Sequence, residues 1–433
     1  MTTRRPVVVR AAGVCAFALA AAACARGGDA AVAKGPFGKE VAEAIPALEK
    51  STGLKFKTPP KLETRSKEQV RQFVERTFSE GHAARDLAGA EAVYKRLGLL
   101  PDTLDLHKLY VDLLSEQIAG FYDPKTKVLY VVDGADPAMA KITVGHELVH
   151  ALQDQYLNLD SLQQVEGNAD RAAAAQAVIE GQANYEQLAT MSGDANFVDR
   201  IPGGWDMIRQ TIREQRAGMP VLASAPMVIQ EEIIFPYLSG AEYVRRFKTQ
   251  RPGRNPLAAM PQSTEQVLHA ESFFSAKPDA PLSVTLPPLG GGARAAFENT
   301  LGEFDTRLLL YQHLKDQAAA ARGAAGWGGD RYALVDTPRG QGVVWLTVWD
   351  TPVDAADFAD LMAQAVAHRY ALAPKPGGTG ATTPGVAKSW TPSGRAVSLG
   401  AVDVAGHPGV LYVDVPAGVS AAALLDASKA TVR

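Results

Sequence analysis

Apolar residues recur at helical spacing through much of the first three quarters of the chain. In VRQFVERTF, residues 70–78, they stand three and four positions apart, as in a helix that buries one face. Ser66 and Gln69 have capping-box spacing just ahead of it, so we expect a helix to begin there. DLAGAEAVYKRLGLL at residues 86–100 and LHKLYVDLLSEQIAG at 106–120 predict two more helices.

The pattern changes at GFYDPKTKVLYVVDG, residues 120–134, which predicts a hairpin with DPKT as its turn and Val128–Val132 as a strand. Pro137 is suited to open the next helix, because proline fits the first helical position. A further helix is expected over about residues 170–191, which are rich in alanine. The stretch IQEEIIFPYLSGAEYVRRF, residues 229–247, is also apolar-patterned.

From about residue 330 the pattern favours strands around one helix. Triple glycine at 290–292 and RGAAGWGG at 322–329 predict breaks before this region. The predicted strands are RYALVDT, GVVWLTVWDT, AVSLGAVDV and GVLYVDV, and the predicted helix is DAADFADLMAQAVAHRYAL. We therefore expect an α+β fold, with flexible PKPGGTGATTPG interrupting the second part.

This pattern predicts the domain organisation. A mainly helical domain with a small, edge-exposed sheet would span 37–322, with its active-site core at 116–275. A small C-terminal α+β domain, whose role the sequence does not indicate, would span 330–433.

The first residues predict export. Arginines precede a short apolar run rich in alanine, which is typical of a secretory signal peptide over 1–23, with a flexible tether over 24–36. Cys24 follows two alanines, as in a bacterial lipoprotein box, and would carry the lipid; the alternative is a plain cleavage site near Ala23 or Ala25. The expected location is the cell envelope, as an outer-membrane or periplasmic lipoprotein, or otherwise outside the cell.

Charge and composition restrict the expected partners. The formal net charge is −3 and no long basic run occurs, so we expect no nucleic-acid partner. Contact with a membrane is expected only through a lipid on Cys24. A peptide or protein substrate is the partner that the chemistry below implies.

HELVH, residues 146–150, carries that chemistry. On a helix His146 and His150 project from one face, one turn apart, so both imidazoles can reach one metal ion. Glu147 then stands beside the open coordination position, where it can take a proton from water activated by zinc. This spacing predicts one catalytic Zn²⁺ and a hydrolase.

A third ligand has to come from elsewhere in the chain. Glu180, in AVIEGQANYEQ, lies on a strongly helical stretch and precedes Gly181, which would let another backbone approach closely. Glu166, in VEGNADR, lies in a loop before that helix and is the other candidate. We favour Glu180.

Taken together, these motifs resemble a family. HELVHALQDQ followed by VIEGQANY resembles the gluzincin type of zinc peptidase. The wider set of GFYDPKTKVLYVV, HELVHALQDQYLNL, VIEGQA, FPYLSG and STEQVLH resembles an uncharacterised family of exported bacterial zincin-like lipoproteins.

The resemblance implies a zincin-like fold, zinc ligands His146, His150 and Glu180, and Glu147 as general base. Asp154 would hydrogen-bond a ligand or cap a neighbouring element. Asn184 stands where many gluzincins have an acidic residue, so the bond made there would be altered or supplied by another residue.

Two expectations concern the substrate. The strand Val128–Val132 would form the sheet edge that pairs with an extended peptide. A donor for the oxyanion is also needed, and His269, Tyr237 and Tyr185 are the candidates. Two competing functions remain open: a non-catalytic zinc-containing binding protein of the envelope, and an amidase acting on cell-wall peptides.

Overall fold

The computed structural model describes residues 37–79, 81–163, 165–192, 210, 214, 218–372 and 388–433. The predicted signal peptide, Cys24, the predicted tether and the PKPGGTGATTPG stretch at 374–385 lie outside these residues. Within the described part, none of the helices combines the length and hydropathy needed to cross a membrane.

Four helices and a three-stranded sheet form the beginning of the described chain. The helices are Gly38–Thr52 (α1), Lys67–Ser79 (α2), Gly81–Leu97 (α3) and Leu106–Gln117 (α4). The strands are Lys61–Arg65 (β1), Gly120–Asp123 (β2) and Val128–Val132 (β3). The predicted capping box of α2 is confirmed, since Ser66 and Gln69 exchange side-chain-to-backbone bonds of 3.2 and 2.9 Å.

The order of this sheet corrects one prediction. Its strands lie in the order β1-β3-β2, with β1 parallel and β2 antiparallel to β3. Val128–Val132 was expected at the edge, and that prediction was wrong, because β1 covers the side of β3 that the hairpin leaves open. The edges belong to β1 and β2.

The middle of the chain is helical. Its elements are Pro137–Asp154 (α5), Leu159–Gln163 (α6), Ala169–Ser192 (α7), Pro220–Ser224 (α8), Met227–Phe235 (α9), a π-helix at Pro236–Gly240, Ala241–Gln250 (α10), a short 3₁₀ turn at Pro256–Ala258, Thr264–Leu268 (α11) and Ala270–Phe273 (α12). Pro137 opens α5 as predicted, and Asp136 caps it by accepting from two backbone amides.

A sheet-rich C-terminal region follows. Its helices are Gly302–Leu314 (α13), Gln317–Ala324 (α14), Pro352–Arg369 (α15) and Ala421–Leu424 (α16), with a 3₁₀ turn at Ala427–Lys429. Its strands are Val284–Thr285 (β4), Arg294–Asn299 (β5), Trp327–Thr337 (β6), Gly340–Trp349 (β7), Lys388–Trp390 (β8), Arg395–Val404 (β9), His407–Pro416 (β10) and Thr431–Val432 (β11). The α+β class is therefore confirmed.

The main sheet is antiparallel, in the order β5-β6-β7-β10-β9-β8. Strands β5 and β8 were not predicted. The predicted break at 322–329 was only partly right, because Gly328 and Gly329 belong to β6. Glycine fits there since a Cβ on Gly329 would lie 2.3 Å from the carbonyl oxygen of Leu282.

Each face of this sheet has its own apolar core. On one face α13, α14 and α15 pack with α3 and α4, around Trp345, Trp349 and Phe358. On the other face the segments before β5 and after β10 cover Val344, Leu346 and Val413. A third cluster, which includes Ile179 and Tyr243, packs α7 against the helices that follow it.

Candidate metal centre

The two histidines and the favoured glutamate come from neighbouring helices. Helix α5 presents His146 and His150 to α7, which presents Glu180. The two imidazole centroids lie 4.9 Å apart. All three side chains are almost completely buried, at 1%, 6% and 1% exposure. Burial of three ionisable groups at one point needs a compensating interaction.

These side chains converge on one point. One carboxylate oxygen of Glu180, Oε2, lies 3.1 Å from Nε2 of His146 and 3.4 Å from Nε2 of His150. His146, Glu147 and His150 also offer potential ligand atoms that all lie within 4.8 Å of one another. The structure thus brings together the four residues that the motif analysis singled out.

Gln153 determines the tautomer of His150, that is, which of its two ring nitrogens carries the proton. Its amide nitrogen donates to the Ile179 carbonyl and to Gln182, both at 3.1 Å, so its oxygen must point to His150. That oxygen lies 2.9 Å from Nδ1 of His150, which therefore carries a proton. In the neutral ring, Nε2 then directs a lone pair at the Glu180 carboxylate.

A positive charge is needed between Nε2 of His150 and the Glu180 carboxylate. Nε2 of His150 is buried and accepts or donates no hydrogen bond among the described residues. Burial lowers the pKa of His150, but the Glu180 carboxylate opposes burial and raises it to about 9. The position accommodates either a proton or a metal ion. Imidazole whose other nitrogen is fixed by a hydrogen bond is the usual metal-ligand arrangement.

Gln176 orients the other side of the Glu180 carboxylate. One turn earlier on α7, its amide donates to Oε1 of Glu180 at 2.8 Å. Burial alone would raise the pKa of Glu180, but the facing imidazoles outweigh it and lower the pKa to about 2. The group is therefore ionised and can act as a ligand.

Glu147 lies beside this cluster with one oxygen anchored. Its Oε2 accepts from the backbone amide of Tyr122 in β2 at 2.7 Å, and its Oε1 is buried with no partner among the described residues. The side chain is 0% exposed, and burial raises its pKa against the opposing effect of the two imidazoles. A fixed carboxylate with one unbonded oxygen and a raised pKa is suited to accept a proton.

A direct backbone crossing holds α7 in place. A Cβ on Gly181 would lie 2.2 Å from the carbonyl carbon of Gly240, and a Cβ on Gly240 would lie 2.0 Å from the carbonyl oxygen of Ala177. Glycine at both positions lets α7 and the π-helix touch one residue after Glu180. The prediction that Gly181 permits a close backbone approach is thereby confirmed.

The same crossing brings Tyr237 to the cluster. Its ring centroid lies 6.2 Å from that of His146, and the side chain is 2% exposed. Asn184 contributes by donating to the Tyr237 carbonyl at 3.0 Å, so it fixes the π-helix rather than a ligand.

Asp154 hydrogen-bonds the β2–β3 hairpin and not one of the candidate metal ligands. Its Oδ2 accepts from the Tyr122 hydroxyl at 2.8 Å and from Lys127 at 2.6 Å, and its Oδ1 accepts from the amide of Leu159 at 3.1 Å. Asp154 was expected either to hydrogen-bond a ligand or to cap a neighbouring element. It does the latter, because it accepts from the first amide of α6.

The two other candidate oxyanion donors, His269 and Tyr185, and the alternative third ligand, Glu166, lie away from the histidine cluster. His269 is half-exposed, and its Nε2 lies 2.9 Å from Oε1 of Glu303, with no described contact to the cluster. Tyr185 packs in the core that α7 shares with α10. Glu166 is exposed, and no described contact joins it to the imidazoles.

Two cavities meet at Glu180. One, of about 110 Å³, is bounded by Glu147, His150 and apolar side chains of α2 and β2. The other, of about 180 Å³, is bounded by Tyr237, Gln176 and mostly apolar residues of α3, α4 and α9. The cluster therefore borders space of the kind that an apolar side chain could fill.

Comparison with known proteins touches only the C-terminal region. Residues 290–399 match a family described as a domain of unknown function (DUF8575). Neither the curated proteins nor the solved structures contain a match to the chain. The match begins after the cluster of His146, His150 and Glu180, so it carries no information about that cluster.

Sequence reasoning missed Gln153, Gln176 and Tyr122. Helical spacing could have found the first two, because Gln153 stands three residues after His150 and Gln176 four before Glu180, on the same faces. Tyr122 gave no signal, since its backbone amide makes the contact.

Proposed function

We propose that this protein is an exported zinc-dependent peptidase of the gluzincin type, with a zincin-like catalytic part. The observation that carries the proposal is the pair of buried Nε2 atoms, on His146 and His150, directed at one oxygen of Glu180. A structural ion pair would not need Glu147 beside it with an unbonded oxygen.

The spacing of these atoms supports zinc. In a tetrahedron with bonds of about 2.0–2.1 Å, neighbouring ligand atoms lie about 3.3 Å apart. The separations of 3.1 and 3.4 Å from Glu180 to the imidazoles agree with that value. Two nitrogens and one carboxylate oxygen are also the ligand set of catalytic zinc in peptidases. When bound, zinc would supply Lewis acidity and lower the pKa of water at its open position to about 7.

The protein's own residues then have distinct tasks. Glu147 accepts a proton at its unbonded Oε1 and delivers it to the leaving nitrogen, while the Tyr122 amide holds its other oxygen. Gln153 and Gln176 keep His150 and Glu180 in the orientation described above. Tyr237 is the donor candidate that lies close enough to the cluster to act on an oxyanion.

The edge strand β2 and the two cavities support a peptide substrate. An extended peptide could add to β2, although the Tyr122 amide is already bonded to Glu147. Apolar side chains of the peptide would occupy the cavities that meet at Glu180.

Replacing Glu147 tests the mechanism. The mature protein should contain one zinc per chain and cleave a mixed peptide library, and Glu147→Gln should keep the zinc and lose activity at least about 100-fold. Unchanged hydrolysis in that variant would remove Glu147 from the mechanism. Full zinc with no cleavage of peptides would favour a binding protein, and cleavage of purified peptidoglycan alone would favour the amidase.

A matched pair of substitutions tests the third ligand. Glu180→Gln should lose zinc on gel filtration, whereas Glu166→Gln, the same change at the competing candidate, should retain it. The opposite result would assign the ligand to Glu166.

Export and lipidation at Cys24 are part of the proposal and rest on the leader sequence. Labelled palmitate should enter the wild-type protein in cells and not Cys24→Ala. Equal labelling of both would place the lipid elsewhere.

A further inference from the structure

The STEQVLH stretch contains a buried glutamate that the proposed catalytic centre does not use. Ser263 caps α11, and Glu265 follows in its first turn with only 5% of its surface exposed. A carboxylate oxygen of Glu265 lies within 4.8 Å of carboxylate oxygens of Asp279 and Asp350, which are exposed. Three carboxyl groups thus meet at the boundary between the protein and solvent.

Two buried carboxylates at this point lack the partners that burial normally requires. No hydrogen bond and no lysine or arginine from the described residues reaches the Glu265 carboxylate. Glu303, 2% exposed, accepts from His269 through Oε1, while its Oε2 is buried without a partner. A buried carboxyl group without a partner is costly, so both side chains call for an explanation.

The charges that act on Glu265 show where Glu303 lies. Burial, followed by the carboxylates of Glu303, Asp279 and Asp350 in that order, raises the pKa of Glu265 to about 10. Burial and Asp279 likewise raise the pKa of Asp350 to about 6. Glu303 is therefore a near neighbour of Glu265, in agreement with the bond of 3.1 Å from the Phe304 amide to the Thr264 hydroxyl.

We propose that Glu265, Asp279 and Asp350 bind a calcium ion, with the Glu303 carboxylate adding negative charge behind it. The potential ligands are all oxygens, which suits a hard cation and disfavours zinc. Ca²⁺ binds oxygens at about 2.3–2.6 Å, so two of its ligands can stand up to about 5 Å apart, in agreement with the 4.8 Å limit observed here. Solvent at the exposed aspartates can complete the six to eight ligands that Ca²⁺ takes.

The three ligands come from separate parts of the chain. Glu265 belongs to α11, Asp279 to the segment before β4, and Asp350 follows β7 of the main sheet. Thr264, next to Glu265, bonds Asp170 at the start of α7. Calcium would therefore tie the helical region that carries the catalytic centre to the C-terminal sheet, independently of whether that centre cleaves peptides.

Thermal unfolding of the zinc-loaded mature protein tests this inference. After dialysis against metal-free buffer, Ca²⁺ at about 100 times its Kd should shift the unfolding equilibrium about 100-fold and raise Tm by a few degrees. Tb³⁺ should show luminescence sensitised by Trp349, which directly precedes Asp350, and Ca²⁺ should displace it. An unchanged Tm, or an equal rise with Mg²⁺, would overturn the proposal.

Three variants separate a cation site from a structural role. Glu265→Gln and Asp350→Asn should abolish the response to Ca²⁺ and also raise Tm of the calcium-free protein, because each removes a carboxyl group whose ionisation the folded protein opposes. Asp102→Asn, the same loss of one exposed carboxylate outside the cluster, should keep the full response. If Asp350→Asn still responds to Ca²⁺ like the wild type, the site is not the one described.

Discussion

Gln153 shows how one neutral side chain can set the chemistry of a centre. It carries no charge and is no ligand, yet its fixed amide determines the tautomer of His150. In the neutral ring the proton is on Nδ1, so Nε2, which faces Glu180, carries none. A hydrogen bond of this kind orients the imidazole and increases its basicity. The same logic applies to Gln176 and the carboxylate of Glu180.

At this scale we predict that Gln153→Ala lowers zinc affinity about 10- to 100-fold, since the imidazole loses its orienting bond. Competition with a chromophoric chelator measures the affinity directly. Gln72→Ala, on an exposed face of α2, is the matched control and should leave the affinity unchanged. Equal zinc affinity of Gln153→Ala and the wild type would show that the bond has no influence on the metal.

The local signals for helices were strong because they depend on near neighbours in sequence. The capping box at Ser66 and the helix start at Pro137 are contacts within one turn, and both were predicted. The edge position of Val128–Val132 was mispredicted, because the strand that covers it, β1, lies more than sixty residues earlier. A hairpin pattern does not show which of its two strands a distant segment will join.

At the scale of elements, the crossing of α7 with the π-helix has the most specific consequence. Gly181→Ala should force the two backbones apart, at a cost of at least about 1–3 kcal/mol, and displace Glu180 from the imidazoles. We expect a lower Tm and substoichiometric zinc, measured by calorimetry and by elemental analysis.

Gly145 provides the control for this prediction. It stands next to His146 on α5, but a Cβ added there would meet no atom within 4 Å. Gly145→Ala should therefore keep its zinc and gain up to about 1 kcal/mol from helix propensity. If both alanine variants behaved alike, the close crossing would not be what positions Glu180.

On the scale of the whole molecule, buried acidic groups join the two regions. Asp330 in β6 accepts bonds from the Leu301 and Gly302 amides and from the indoles of Trp327 and Trp345. Asp170 at the start of α7 accepts from Thr264 and faces the charges of Asp330 and Glu303. Helix α7, α11 and the sheet are therefore coupled through polar contacts as well as apolar packing.

The pH dependence of stability should reveal this coupling. Burial, opposed by the two bonds from Thr264 and reinforced by the charges of Asp330 and Glu303, raises the pKa of Asp170 to about 7. A carboxyl whose pKa is raised on folding stabilises the protein fully below its unfolded pKa of about 4, and this stability is lost as pH rises through about 7. The wild type should therefore lose stability between pH 4 and 7 through this group.

Asp170→Asn isolates the effect, because an amide keeps the acceptor for Thr264 without titrating. Chemical unfolding at pH 5 and pH 8 should show a smaller loss of stability in the variant than in the wild type. The same loss in both proteins would mean that Asp170 is ionised throughout this range.

The sequence by itself determined the α+β class, the helix starts at Lys67 and Pro137 and the pairing of His146 with His150, because each depends on spacing within one element or on local pattern. It also favoured Glu180 among the candidate third ligands. Only the tertiary structure decided that Gln153 fixes the His150 tautomer against α7, that Gly181 meets Gly240, that β3 is covered, and that Glu265 meets Asp279 and Asp350. These are contacts between segments far apart in the chain, and local periodicity carries no information about which distant surfaces will pack together.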